Sequence, residues 1–546
     1  MPTVPQRVPR RTPREWSFTS QHPYANPFGD VVFDGNFISP SGRTITIPGF
    51  YDGAQTWRLR FSPDEVGTWT FRTIVRPHNP DLTQQGSFEV TPNDGQVGFL
   101  KATPGQAWGF HFESGDPVFI FGDTVYELFG MAHCGADVTS FLQRRKQQGF
   151  NLLRIRVPTS AYVSVGEPPV PPEDFKGWHN RSTWPWGGAE QFPRFDHFNL
   201  DYFRTVDAVI SLAEEVGIGI EMIMEAWGNE FPFNNRLVFL PEWEELWMRY
   251  LIARYDAYNC VYIWTLLNEY EYYPNGDWHY KPVSDRWAIR MGRWVKGVAQ
   301  HGHVIAVHNG PREPAFAQRL ALDPEAVDAV MFQEWGTRDE ALGWLAAGIE
   351  EQIENSFAGW RGSSIFSEWG YERNPQMPNL APHHAFCDPE HTRRGAWRGA
   401  FCAQGIIHGF ENSWGIFPLQ ADDQHPGMDY LLLVRKFFTE VVPFHHLRVA
   451  SQVISEGNDA VGHRPRVLAS EAQDVVAVYL PTGGRVTLRL TQSEYRAQWF
   501  DPRTGALTEA TPQGDTAAGL SFTAPVGGGA QPWDWALVLR AVQRAM

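Results

Sequence analysis

The chain has 546 residues, with 46 Lys and Arg against 62 Asp and Glu for a formal net charge of −16. That length passes the ~250–300 residues at which one hydrophobic core stops growing, so roughly two to four domains are expected. The acidic balance argues against nucleic acid or an anionic membrane as partner, since either needs a concentrated basic face.

The first residues, MPTVPQRVPRRTPREW, are basic but lack the apolar run of an export signal, and no stretch approaches the ~18 apolar residues of a membrane span, so a cytoplasmic protein is expected. Residues 1–95 alternate in short runs such as RTITIPGFYDG and GTWTFRTIV, broken by Gly, Pro, Asn and Asp. This is the pattern of an N-terminal β-sandwich. Residues 96–445 change texture to apolar strands separated by amphipathic helices, the mark of parallel βαβ units. Eight strand candidates stand out: 118–123, 150–157, 218–225, 261–269, 303–309, 329–335, 364–369 and 405–414.

The fold class predicted is therefore α/β, a (β/α)8 TIM barrel with chemistry at the C-terminal ends of its strands. An open doubly wound sheet is the alternative, but no GxGxxG follows a first strand. The stretch 165–199 after the second strand is long and Pro-rich, and reads as a functional loop. Residues 446–546 return to a β pattern and complete the expected architecture with a small C-terminal β-sandwich. The two flanking sandwiches are candidates for subunit contacts, leaving a homo-oligomer open.

Four cysteines (Cys134, Cys260, Cys387, Cys402) have no CxxC spacing and read as free thiols. No HExxH, Cys/His tetrad or EF-hand loop is present, so no metal or other cofactor is expected, and the absence of GxSxG leaves a serine esterase unsupported.

Aromatic residues make up 14 % of the chain, with 23 Trp. Most belong in cores, yet many follow apolar strands, where flat rings with polar edges suit the C–H faces of sugars. Glycosidic cleavage needs two carboxyl groups flanking the bond, one protonated and one ionised. Glu269 ends the fourth strand candidate and Glu368 the seventh, so a closed barrel would face them across one mouth. Asn268 is placed to bond a sugar 2-hydroxyl, and Trp369 to supply an apolar wall. Arg154 and Arg156 alternate on one strand face, where a cation can hold a nucleophilic carboxylate ionised. His308 ends the fifth strand as a secondary donor. Glu334, which also precedes Trp-Gly, is the strongest rival of Glu368; Glu225, Glu271 and Glu411 complete a ring of competing acids. Trp227, Tyr270 and Trp414 lie at strand ends as aromatic contacts, and Trp178, Trp184, Trp186 and Trp278 are candidates for pocket walls.

These residues resemble clan A of the glycoside hydrolases, (β/α)8 enzymes that retain anomeric configuration. Asn-Glu after the fourth strand, Glu after the seventh, and GFNLLRIRVP at the second carry the likeness. PVFIFGDTVYELF, GFNLL and NEYEYY resemble the apiosidase-like branch, which implies that Asp123 touches substrate and that Arg154 or Arg156 supports the nucleophile. The N-terminal stretch resembles an uncharacterised β-sandwich that precedes such barrels, and YRAQWFDPRTGALTEA resembles a domain labelled collagen-binding. The function expected is a retaining, exo-acting glycosidase acting on short saccharides, with Glu368 as nucleophile and Glu269 as acid and base. The alternatives are a non-catalytic carbohydrate-binding protein on a barrel scaffold and a polysaccharide lyase.

Overall fold

The computed structural model describes residues 6–102, 109–159, 182–227, 230–310, 319–320, 322–333, 337–339, 344–346, 360, 362–372, 386–410, 425–460, 462–515, 519–526 and 533–542. Its centre is a closed parallel barrel of eight strands. They are β1 (Ile120–Thr124), β2 (Leu152–Arg156), β3 (Gly219–Trp227), β4 (Val261–Asn268), β5 (Val304–His308), β6 (Ala329–Gln333), β7 (Ser363–Glu368) and β8 (Gly405–His408). Each overlaps one of the eight apolar runs, the third running two residues past its run. Such strands read as nearly continuous apolar runs because both faces are buried, one by the barrel interior and one by helices.

Five surrounding helices are α1 (Val138–Gln147), α2 (Leu200–Val216), α3 (Pro241–Tyr255), α4 (Pro282–Val298) and α5 (Pro389–Ala400). Helix α2 begins where the Asn199 side chain accepts from the Tyr202 amide and ends at Gly217, whose φ of 72° suits a residue without Cβ.

Register settles which side chains face inward. Thr124 pairs with Arg154 and Arg154 with Glu221, while Asp123 pairs with Leu153 and Leu153 with Ile220. Leu153 and Ile220 belong to the apolar layer between strands and helices, whereas Ile120, Leu152, Ile263, Ala306, Met331 and Ile365 form a separate interior cluster. Leu100 and Phe110 join that interior cluster from a hairpin of strands Leu100–Ala102 and Phe110–Phe112, which seals the N-terminal end of the barrel.

N-terminal to the barrel, a five-stranded and a three-stranded sheet enclose a core that includes Phe37, Trp57, Leu59 and Trp69. Arg60 of this sandwich and Arg254 of α3 both bond Asp207 of α2, at 2.8 and 2.6 Å, which holds the Asp207 carboxyl down at about 2 despite its burial. A six-stranded and a three-stranded sheet form the C-terminal part. It docks on α5: Tyr479 stacks on Trp397 at 5.6 Å, and the buried Asp534 accepts from Arg393 at 3.0 Å, Tyr479 at 3.1 Å and Arg503 at 3.2 Å.

The stretch after the second strand departs from expectation. Trp186–Ala189 and Phe192–Phe198 form an antiparallel hairpin, and Trp184, Trp186, Phe195 and Phe198 are buried in a shared aromatic cluster with Trp247. Trp184 and Trp186 are thus packing residues here. Trp178 lies outside the described residues.

Candidate active site

Arg154 is the polar centre of the upper barrel. It is fully buried, its Nε lies 3.4 Å from Glu221 Oε1, and its Nη2 donates to Asn268 Oδ1. Its Nη1 donates to Glu368 Oε2 at 3.4 Å. The ring of Tyr126 lies beneath it, 5.1 Å from the guanidinium carbon. A guanidinium has no lone pair to accept with, so the oxygen of the Asn268 amide must face Arg154 and its NH2 group must point elsewhere. That Nδ2 is buried without a hydrogen-bond partner.

Glu368 ends β7 and accepts from the Tyr126 hydroxyl at 3.2 Å as well as from Arg154; the Tyr371 hydroxyl is a further donor. Burial raises its pKa, and these donors with the Arg154 charge oppose the rise. Donors that meet a carboxylate favour its ionised form.

Glu269 follows β4 in the left-handed region, at φ 56° and ψ 51°, a conformation that costs a residue with Cβ about 1 kcal/mol or more. Gln333, at the end of β6, donates from Nε2 to Glu269 Oε1 at 2.7 Å, while Oε2 is buried with no partner. Burial first, and then the charge of Glu368, push the Glu269 carboxyl up to about 8. Two carboxyls thus meet at one end of the barrel in unequal settings. Glu368 is ringed by a cation and hydroxyls, whereas Glu269 is buried with one amide donor and the charge of Glu368 nearby.

Other residues singled out from sequence are distributed differently. Arg156 reaches Glu127 and, at 2.8 Å, Glu230, so of the two arginines only Arg154 bonds Glu368. Asp123 is turned to the helical layer, where Arg145 of α1 donates to it at 2.7 Å; alternation along β1 places Gly122 and Thr124 inward and Asp123 outward. Tyr270 is likewise directed away, its hydroxyl donating to Asp285 of α4 at 2.9 Å. Trp369 is fully buried between Phe366 and His408, with ring centroids at 5.0 and 4.6 Å, and is core rather than wall.

His308 faces the interior at the end of β5, buried, with both ring nitrogens lacking hydrogen-bond partners. Burial and the Arg154 charge hold its pKa well below the usual range, so it is neutral. Glu225 is tied to Arg236 at 2.6 Å, and Glu271 accepts from Arg319 and the Gly310 amide. Glu334, Glu411, Trp414 and the side chain of Trp227 lie outside the described residues. Trp278 is half exposed in the segment after β4, its ring 5.1 Å from that of Tyr272.

Sequence reading missed Tyr126, Tyr371 and Gln333. Gln333 adjoins the recognised rival Glu334 and ends an apolar strand, which was a usable signal; the tyrosines carried none. Among the described residues, no cluster of three or more His, Cys, Asp or Glu is placed to hold a metal ion, and no helix is long and apolar enough to cross a membrane.

Comparison with known proteins adds a family and a fold. The family described as "Apiosidase-like, catalytic domain" matches residues 109–430, more than half of the chain. A domain of unknown function matches 8–76, and a "Putative collagen-binding domain of a collagenase" matches 450–540. No curated protein matches. Among solved structures, a "putative glycoside hydrolase" from Bacteroides vulgatus ATCC 8482 is 17 % identical, covering 98 % of this chain and 100 % of its own with a TM-score of 0.70. A glycoside hydrolase family 5 protein from the same organism is 18 % identical over 82 % of this chain and 95 % of its own, with a TM-score of 0.60. At these identities the likeness speaks to the fold.

Proposed function

The chain belongs to the apiosidase-like catalytic domain family, and from that premise we propose that it is a retaining glycoside hydrolase using Glu368 and Glu269. The observation that carries the reading is the unequal pair. Glu368 is bonded by Arg154 and Tyr126, which favour its anion, while Glu269 is held protonated by burial with one oxygen free of protein partners.

In the first step a Glu368 oxygen attacks the anomeric carbon as the bond to the leaving oxygen breaks, and Glu269 delivers its proton to that oxygen. The ester removes the charge on Glu368, so the pKa of Glu269 falls and it can take a proton from water. That water then attacks the anomeric carbon, breaks the ester and restores both groups. Asn268 Nδ2 is the donor for the 2-hydroxyl, a bond that strengthens as positive charge develops at the anomeric carbon. The enzyme acts at the ends of short saccharides, with the segment around Trp278 contacting the departing part.

The test is a panel of 4-nitrophenyl pentosides and hexosides with Glu368→Gln and Glu269→Gln, joined to labelling by 2-deoxy-2-fluoro glycosyl fluorides and mass spectrometry. Loss of several powers of ten in each variant and a label on Glu368 are expected. Unchanged turnover in either variant, a label on another carboxylate, or a product of inverted configuration overturns the assignment.

A further inference from the structure

Gln333 bonds two acceptors through one amide nitrogen. Its Nε2 donates to the Asn309 main-chain carbonyl at 3.0 Å and to Glu269 Oε1 at 2.7 Å, while its own main-chain N–H donates to Asn309 Oδ1 at 2.8 Å. A carbonyl oxygen only accepts, so the bond to Asn309 identifies the NH2 end of the Gln333 side chain on chemical grounds. The group facing Glu269 is a donor. Oε1 is therefore an acceptor whether Glu269 is ionised or neutral, because a proton on it would oppose a second hydrogen.

We infer that Gln333 assigns the exchangeable proton of Glu269 to Oε2, and so decides which oxygen gives a proton to the leaving group and takes one from water. The assignment agrees with burial, since Oε2 is the oxygen without a protein partner. It also agrees with register: Gln333 pairs with Glu368 across a bulge between β6 and β7, so the residue orienting the acid is anchored beside the other carboxylate. Gln333 is a positioning residue in this scheme. Its second effect is on acidity, since a donor to Glu269 favours the ionised form.

The inference rests on the proposed role of Glu269, but its test does not depend on turnover. Infrared pH-difference spectra of the full chain should contain a protonated-carboxyl C=O band that Glu269→Gln removes and that titrates at about 8. In Gln333→Met the lost bond should move that band to higher wavenumber and raise its midpoint by about one pH unit. Gln333→Glu keeps the shape, substitutes a carboxylate for the donor, and should also raise the midpoint. A band unmoved in position and midpoint in both variants overturns the inference, as does a spectrum from which Glu269→Gln removes nothing. Failure of the glycoside panel with these spectral shifts intact would sink the catalytic reading and leave the placement of the proton standing.

Discussion

The guanidinium of Arg154 and the carboxylate of Glu368 stand 3.4 Å apart, both buried, and join the second barrel strand to the seventh. The cation lowers the pKa of Glu368 against the rise that burial imposes. Arg154→Met should therefore shift the acid limb of the kcat/KM profile to higher pH and lower its plateau on the order of 100- to 1000-fold, the scale of removing one preorganised electrostatic partner. Arg156→Lys, at the arginine paired with Glu127 and Glu230, should leave the acid limb in place. Profiles on a single aryl glycoside decide between them.

The Glu269 carboxyl, pushed up to about 8, should set the alkaline limb of the same profile, with activity lost as pH rises through that value. A linked stability effect follows. The ordinary value is 4.5, so between there and about 8 the folded state holds a proton that the unfolded state has released. Stability must then fall with rising pH across this window, by up to about 1.4 kcal/mol per pH unit from this group. Urea titrations of Glu269→Gln should have a flatter dependence on pH between 5 and 8 than the parent.

Asn268 offers its nitrogen because Arg154 claims its oxygen. Asn268→Ala should lower kcat/KM on the order of 100-fold for a substrate bearing the 2-hydroxyl, and by much less for its 2-deoxy counterpart. Equal losses on both would mean that Asn268 acts through the position of Arg154 alone.

Asp534 is buried among Arg393, Arg394, Arg503 and Tyr479, and the arginines hold its carboxyl down at about 2 against the rise that burial imposes. Asp534→Ala leaves three buried or largely buried cations, Arg393, Arg394 and Arg503, without this partner, a loss of about 3–5 kcal/mol. Calorimetry should find the C-terminal sandwich melting earlier than the barrel in this variant. In the parent, the contribution of Asp534 is present above about pH 4 and lost as pH falls through about 2.

The eight strands were legible because burial on both faces writes a continuous apolar run, as in FNLLRIRV. The acids at the ends of β4 and β7 were legible for the same reason: a charge terminating such a run has few places to go but the rim. Facing was harder to read. Asp123 and Tyr270 sit as near to strand ends as Glu368 does, yet a one-residue difference in alternation sends Asp123 to Arg145 instead of the interior. Trp369 was expected to form an apolar wall because it follows Glu368, but it occupies the layer beneath α5. The donors Tyr126, Tyr371 and Gln333 left no local pattern, since what recruits them to the two acids is closure of the ring, which joins residues up to 245 positions apart.

The hairpin carrying Leu100 and Phe110 has a bearing on traffic. That floor and the apolar side chains packed above it, Leu152, Ile263, Met331 and Ile365 among them, close the barrel from below, so no route runs through it. On the proposed function, a substrate reaches Glu269 and Glu368 from the C-terminal rim, and both fragments leave by the same side. On that reading the released sugar contends with fresh substrate for one entrance.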